Sequence, residues 1–375
     1  MQPNVAGVPV DSTILPPPTR RSAGLVERVE RADPTTRFDL SRNDVGALLQ
    51  SEPRYRVDQV WGALYREGLD PDEITTLPKA LRSRLTTEPT LSRALTMTRE
   101  SMSDDGNTVK WLWQLHDGAQ IETVLMHYRE RTTVCISSQA GCAMGCGFCA
   151  TGQSGFQRHL RAGEIIEQVV RARRRATLDG RRLSNVVYMG MGEPMANYSP
   201  VLRSVRALHE ELEMSARHLT ISTVGIVPGI RKLAEEQLPV NLAVSLHAAD
   251  NEKRNLLVPI NRTYPLGDLG DACAEYFEAT RRRVTFEWAL IRDTNDTLAD
   301  ARQLAAFARP LHAHVNLIPL NPTPGFLTVG SSATRVREFC DALTDLGVNA
   351  TVRRNRGTGI DAACGQLAAR AANTA

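Results

Sequence analysis

No run of eighteen apolar residues occurs anywhere in the 375-residue chain, so no segment reads as a membrane-spanning helix. The first twenty residues lack the apolar core of a secretory signal, which points to a cytoplasmic protein. Net charge is scarce as well: 45 Lys and Arg against 42 Asp and Glu leave a formal +3, so the overall charge names no partner. A disulfide framework is also missing. Seven cysteines, an odd number in a chain without a signal, suit a reducing compartment in which thiols do chemistry. What remains is an ordinary globular composition, 42% hydrophobic and 23% charged, long enough for one large domain and a smaller one.

The chain divides into five parts. Residues 1–36 form a Pro-rich arm, with Pro16-Pro17-Pro18 among scattered Thr, Arg and Ser, that cannot build a core. Residues 37–100 read as a small helical domain. Ser41 and Asp44 make a capping-box pattern ahead of Val45, Leu48 and Leu49. Val60, Trp61, Leu64 and Tyr65 share one helical face over 56–67, with Gly68 as the stop, and Ala80, Leu81 and Leu85 indicate a third helix. Residues 101–131 carry two strand patterns, 108–115 and 121–127, joined by the turn signal Asp117-Gly118. A barrel-like region follows over 132–357, and a C-terminal segment over 358–375.

Within 132–357, short apolar strands are expected at 133–137, 185–189, 218–223, 240–246, 284–290 and His314–Pro319, separated by helical patterns such as 162–175 and Leu298–Ala308. Six strand–helix units without a doubly wound signature indicate an α/β fold built as a partial (β/α)6 barrel. Such barrels carry their chemistry at the carboxyl ends of strands. The small and polar clusters fall there: Gly190-Met191-Gly192-Glu193-Pro194, Ser222-Thr223-Val224-Gly225, Ser245-Leu246-His247-Ala248 and Asn321-Pro322-Thr323-Pro324-Gly325.

The loop after the first of these strands holds Cys142-Ala143-Met144-Gly145-Cys146-Gly147-Phe148-Cys149. Cysteines at C-x-x-x-C-x-x-C spacing offer three thiolates to a 4Fe-4S cluster, leaving one iron open to a small molecule. The molecule that this spacing implies is S-adenosylmethionine (SAM), chelating through its amino and carboxylate groups. A zinc site is the alternative, and with it a metal-stabilised RNA-binding protein that is no enzyme. Zinc sites usually pair C-x-x-C units, and no second pair or suitably spaced histidine lies nearby. Gly190 and Gly192 would let backbone approach the methionyl part of SAM. Glu193 would accept from its ammonium group. Ser222, Ser245, His247 and Asn321 would bind its carboxylate, ribose or adenine, and Phe148 would shield the cluster. Arg158, Arg161, Arg171, Arg173, Arg174, Arg175, Arg181 and Arg182 form a basic stripe suited either to a phosphate backbone or to plain solvation of a helix face. Cys273 and Cys340 sit in helical patterns and read as small buried hydrophobes.

From about Phe38 to the C-terminus the chain resembles the RlmN-type radical-SAM RNA methyltransferases. The resemblance rests on Ile121-Glu122-Thr123-Val124, Cys135-Ile-Ser-Ser-Gln-Ala-Gly-Cys142, Gly190-Met-Gly-Glu-Pro194, Ser245-Leu-His-Ala248, Asn316-Leu-Ile-Pro319 and Arg356-Gly-Thr-Gly-Ile-Asp-Ala-Ala-Cys-Gly-Gln-Leu367. Gln59-Val-Trp61 and Leu77-Pro-Lys-Ala-Leu81 are similar to the family's RNA-binding accessory domain. One departure is His159, where the family pattern has asparagine. The resemblance implies methylation of carbon 2 of an adenine in 23S ribosomal RNA and in tRNA. It implies a 4Fe-4S cluster on Cys142, Cys146 and Cys149, and two SAM molecules consumed per turnover at Gly192, Glu193, Ser222, Ser245, Leu246, His247 and Asn321. It further implies that Cys364 carries the methyl group, that Glu122 removes the carbon 2 proton, and that Cys135 resolves the adduct through a transient disulfide with Cys364. A flavodoxin- or ferredoxin-like electron donor and a monomeric state complete the expectation. The related Cfr-type carbon 8 methyltransferases share this residue set.

Overall fold

The computed structural model describes residues 35–323, 329–353 and 356–368. Most of the Pro-rich arm, Pro324 and Gly325 of the last loop motif, and 369–375 lie outside the described residues.

The strands are β1 (Thr96–Met102), β2 (Thr108–Gln114), β3 (Gln120–His127), β4 (Thr132–Cys135), β5 (Gln139–Gly141), β6 (Phe156–His159), β7 (Leu183–Tyr188), β8 (Leu219–Thr223), β9 (Asn241–Ser245), β10 (Thr285–Leu290), β11 (His314–Pro319) and β12 (Asn349–Val352). Ten of them form one sheet in the order β1-β2-β3-β4-β7-β8-β9-β10-β11-β12, and β5 pairs with β6 alone. From β4 to β12 every neighbour in the large sheet is parallel. β1, β2 and β3 extend it antiparallel on the β4 side. The sheet is open, with β1 and β12 at its edges, so the partial α/β barrel expected from the strand–helix alternation is present with one further parallel strand.

β4, β9 and β10 are buried along nearly their whole length and read as near-continuous apolar runs, while β7, β8 and β11 alternate buried with half-buried residues. Val134, Val186, Ile221, Val244, Phe286, Trp288, Val315 and Leu317 form the central core. The helix Ala162–Leu178 covers β4 and β7 with Ile165, Val169, Ala172 and Ala176, recurring at three- and four-residue intervals. β1 escapes sequence reading because Thr-Met-Thr-Arg-Glu-Ser-Met has no apolar alternation, being almost wholly exposed at an edge.

The helical segment behaves as its pattern predicts. Ser41 caps the helix Arg42–Leu48 through a reciprocal bond with Asp44. Tyr55–Gly62 is α-helical, then widens into a π-type turn over Ala63–Glu67 that buries Leu64 and Tyr65. Gly68 closes it with φ of 68°. The described residues from Thr35 onward cluster as one compact unit.

The arginine stripe differs from its phosphate-binding reading. Arg158 pairs with Asp117 and Glu164, Arg161 with Asp39, and Arg171 with Glu167. Arg174 forms a two-pronged bond to Glu73, with both N–O distances 2.6 Å, and also donates to the Gly68 carbonyl. Arg175 pairs with Glu100 and Asp179, and Arg173 donates to the Leu212 carbonyl. The stripe therefore fastens the long helix to the helical segment and to β1. Each half-exposed pair contributes no more than about 1 kcal/mol after solvent screening, but reversal adds repulsion of similar size. Changing Arg173, Arg174 and Arg175 together to Glu is expected to lower the melting temperature by on the order of 5 °C. An unchanged melting curve alongside weakened RNA binding would restore the phosphate reading.

Candidate active site

At the carboxyl ends of β4 to β11 a cavity of about 1000 Å³, partly open to solvent, collects most of the expected site residues. Its wall includes Cys142, Cys146, Cys149, Phe148, Gly192, Glu193, Ser222, Ser245, His247, Asn321 and Cys364. Three expected residues stand apart: Leu246, Glu122 and Cys135, the last lining only the smaller cavity described below. Leu246 is in the hydrophobic core, and only its backbone takes part, accepting from Arg254 Nε at 3.1 Å. Glu122, in β3, lines neither this cavity nor the smaller one described below.

The three cysteines sit in a loop pinned at both ends. Cys142 N donates to the Gly155 carbonyl at 2.8 Å, and Cys149 N to that of Cys146 at 3.1 Å. Burial pushes the Cys142 thiol up to about 12 and the Cys146 thiol well above its ordinary value. Each thiolate would also repel its neighbours, so the pocket favours thiols until a cation arrives. Phe148 packs edge-on against the His247 ring, with centroids 4.7 Å apart.

Gly190 and Gly192 line the cavity, but a side chain on either would strike the exit of β4. A Cβ on Gly190 would lie 2.6 Å from the Ile136 carbonyl oxygen, and one on Gly192 only 2.5 Å from Gln139 Cβ. Gly192 also has φ of 98°, so the motif needs glycine for packing as much as for ligand approach. Glu193 follows directly. Its carboxylate accepts from the amides of Met195 and Val224, both at 2.9 Å, and burial raises its pKa to about 7 against these bonds. Its own amide donates to Gln139 Oε1 at 2.8 Å, while Gln139 Nε2 donates to His159 Nδ1 at 3.1 Å. His159 thus supplies the acceptor for the Gln139 amide.

The raised Glu193 pKa sets a direction for stability. A carboxyl titrating higher in the folded than the unfolded protein stabilises at low pH, and that contribution is lost as pH rises from about 4.5 to 7. Glu193→Gln is expected to flatten the fall of melting temperature across this window; an identical pH profile would refute the assignment.

His247 has φ of 57°, held by Asn295 Nδ2 donating to its carbonyl at 2.8 Å. Its Nδ1 accepts from Ala289 N at 2.9 Å, and burial with the Arg254 charge pushes its pKa down to about 3. It is therefore a neutral imidazole with Nε2 protonated. Arg254, wholly buried, ties the ends of β8 and β9 by donating to the carbonyls of Val224 and Ser245.

The C-terminal segment forms the cover. Asn321 Nδ2 donates to the Cys364 carbonyl at 3.0 Å, Ala150 N to that of Gly365 at 2.8 Å, and Thr151 Oγ1 to that of Leu367 at 2.6 Å. Glu122 enters here: its carboxylate accepts from Ala368 N at 3.0 Å and lies 3.0 Å from Lys110 Nζ. A smaller chamber of about 420 Å³ adjoins the first, lined by Met126, Tyr128, Cys135, Met189, Arg353 and Cys364 among others. Met189, Arg353 and Cys364 line both. Burial, with Cys364 adjacent, pushes the Cys135 thiol up to about 12, and the Arg353 guanidinium opposes this.

Arg353 and Glu287 are the site residues that the sequence reading missed. Glu287 points inward from β10, takes a bond from Asn316 at 3.0 Å, and is raised in pKa by burial. A lone carboxylate in the apolar run Val284 to Leu290 was the available signal. Among the other cysteines, Cys273 is core-buried and Cys340 half-buried on a helix.

Among the described residues no three His, Cys, Asp or Glu side chains are gathered to clasp a single metal ion. A multi-iron cluster makes a different demand, one thiolate per iron, so its ligands need a shared cavity rather than a common point. Cys142, Cys146 and Cys149 on one wall of a cavity with no thiol paired in a disulfide fit that demand.

An open parallel barrel with a cysteine loop at the exit of its first parallel strand defines a class, and the Radical SAM superfamily profile matches residues 136–305. Sequence comparison goes further. The chain is 49% identical to "Dual-specificity RNA methyltransferase RlmN 1" of Myxococcus xanthus, over 88% of this chain and 94% of that protein. It is 45% identical to "Probable dual-specificity RNA methyltransferase RlmN" of Salinispora arenicola, over 97% of both. The crystal structure of a radical SAM methyltransferase from Sphaerobacter thermophilus superposes with a TM-score of 0.86 at 50% identity, covering 90% of this chain and all of that one. The chain belongs to the RlmN family of radical SAM proteins.

Proposed function

We propose that the protein methylates carbon 2 of an adenine in 23S ribosomal RNA and in tRNA, using Cys364 as the methyl carrier. One observation carries this reading: Cys364 lines both the cavity of the three-cysteine loop and the chamber of Cys135. A methyl carrier must face a donor on one side and a resolving thiol on the other.

Cys142, Cys146 and Cys149 would hold the cluster, which when bound supplies the electron for reductive cleavage of SAM. Glu193, Ser222, Ser245, His247 and Asn321 would surround SAM itself, with Gly192 and the backbone of Leu246 shaping its seat. The Cys364 sulfur, as a thiolate, takes a methyl group from one SAM by displacement. Loss of a hydrogen atom from that S-methyl group, driven by a second SAM, lets its carbon bond to adenine carbon 2. Carbon 2 is electrophilic, so a polar methyl cation transfer is barred there and a radical route is required. Glu122 would then take the carbon 2 proton while one electron leaves the radical adduct for the oxidised cluster, which restores the aromatic ring. Its carboxylate must first part from Ala368 N, which lies on the same segment as Cys364. Cys135, as a thiolate, attacks the Cys364 sulfur; the bond from that sulfur to the methylene carbon breaks, the carbon keeps the electron pair and takes a proton to become the methyl group, and an external reductant reopens the resulting Cys135–Cys364 disulfide.

The target base must leave its stack to reach this depth, as in other base-modifying enzymes. The helical segment 37–100 would serve as an RNA-grasping accessory domain, the protein would work in the cytoplasm as a monomer, and a flavodoxin- or ferredoxin-like protein would supply electrons. Anaerobic reconstitution with iron and sulfide, followed by SAM, reductant and an rRNA fragment, tests the reading by nucleoside mass spectrometry. 2-Methyladenosine is expected. 8-Methyladenosine would move the site of methylation to carbon 8, and absence of 5′-deoxyadenosine would overturn the radical chemistry.

A further inference from the structure

The long helix spends its arginines on internal acceptors, but a group of cations beside it has no close carboxylate partner among the described residues. Tyr128, in the turn between β3 and β4, has two guanidinium groups over its ring. Arg131 lies 4.6 Å from the ring centroid and Arg356 lies 4.7 Å from it. Arg181 donates to the Tyr128 carbonyl at 3.1 Å. Arg131 and Arg181 are exposed and have no carboxylate at ion-pair distance among the described residues. Arg356 has only Asp105, at 3.9 Å and itself more than half exposed.

Two guanidiniums on one ring are closer together than the roughly 10 Å over which 0.1 M salt screens charge. The ring's negative faces hold them in place, yet they repel each other, and an anion within reach of both at the ring's edge would relieve that repulsion. Their position gives the anion a purpose. Tyr128 and Arg356 line the small chamber together with Cys135 and Cys364. The Arg356 guanidinium therefore stands at the same recess as both thiols, with Arg131 held against it across the Tyr128 ring.

We propose that Arg131 and Arg356, oriented by Tyr128 and assisted by Arg181, form a phosphate clamp that seats the RNA strand at the mouth of the Cys135–Cys364 chamber. This rests on the reading of the protein as an RNA-modifying enzyme. Guanidinium forks suit phosphate because they can donate two parallel bonds.

The test is binding of the full-length protein to an rRNA hairpin, followed by fluorescence anisotropy from 50 to 300 mM salt. Arg131→Gln/Arg356→Gln is compared with Arg302→Gln/Arg309→Gln, which removes equal charge from an exposed helix elsewhere. The clamp variant is expected to bind at least about tenfold more weakly at low salt. Its slope of log affinity against log salt should shrink by roughly 1.5, two single-strand phosphate contacts' worth. Tyr128→Leu, which keeps both charges but removes the ring, should also weaken binding, whereas Tyr128→Phe should not. If the double variant melts early, Arg131→Gln alone, in an exposed turn, should still lower the slope by about 0.7. Equal affinities and slopes for the clamp and control variants would overturn the clamp while leaving the enzymatic reading intact. A wild-type protein that leaves the hairpin unbound would overturn that reading and the clamp with it.

Discussion

Cys364→Ala is expected to abolish RNA methylation, by ~10³-fold or more, without disturbing the fold. The distinction between chemistry and structure is unusually clean at this position. The segment around Cys364 is held by backbone and neighbouring side chains. Asn321 binds its carbonyl, Ala150 binds that of Gly365, and Thr151 binds that of Leu367. Gln366 adds a bond to the Pro322 carbonyl at 3.3 Å and accepts from Ala363 N at 3.2 Å. None of these uses the sulfur. Alanine should therefore preserve the segment, the melting temperature and the iron content after reconstitution, while removing the proposed methyl carrier. Cys364→Ser should be equally inactive, because a serine hydroxyl is a far weaker nucleophile at neutral pH. Nucleoside mass spectrometry on RNA treated with each variant reads the outcome. Wild-type methylation by Cys364→Ala would make the cysteine a packing residue.

How far the sequence discloses this site depends on the kind of signal involved. Buried parallel strands announce themselves as apolar runs, so the six expected strands lie within one or two residues of β4, β7, β8, β9, β10 and β11. The helix Leu298–Ala308 has the expected bounds, fixed by its Thr297–Asp300 capping box. Edge strands carry no such signal. β12 is four residues long and mostly exposed, and its membership follows from pairing with β11, a tertiary fact. The thiols and the Gly-x-Gly-Glu motif were legible because their spacing is local. Arg353 was not, because its meaning lies in facing Cys364, Cys135 and Glu287 at once, across elements far apart in the chain. The arginine stripe shows the converse: the charges were visible, but their partners Asp39, Glu73 and Glu100 lie on segments that only folding brings near. Charge counted along a sequence cannot distinguish a phosphate-binding face from an internal clasp.

Cys135→Ala is expected to trap the protein joined to its RNA. In the proposed reaction the step that frees the product needs a thiolate to attack the Cys364 sulfur, and Cys135 shares the small chamber with Cys364. Burial pushes this thiol up to about 12. Only roughly one part in 10⁵ would then be ionised at pH 7. The release rate in the wild-type protein should accordingly rise about tenfold per pH unit between 7 and 9, wherever release limits turnover. Arg353 acts in the opposite direction to burial, stabilising the thiolate when it forms. Without the Cys135 sulfur the attack has no nucleophile at any pH. A denaturing gel should then show labelled RNA migrating with protein for Cys135→Ala, less of it for wild type, and none for Cys135→Ala/Cys364→Ala. If Cys135→Ala releases methylated RNA at the wild-type rate, the chamber's second thiol has no part in resolution and another nucleophile must reach the Cys364 sulfur.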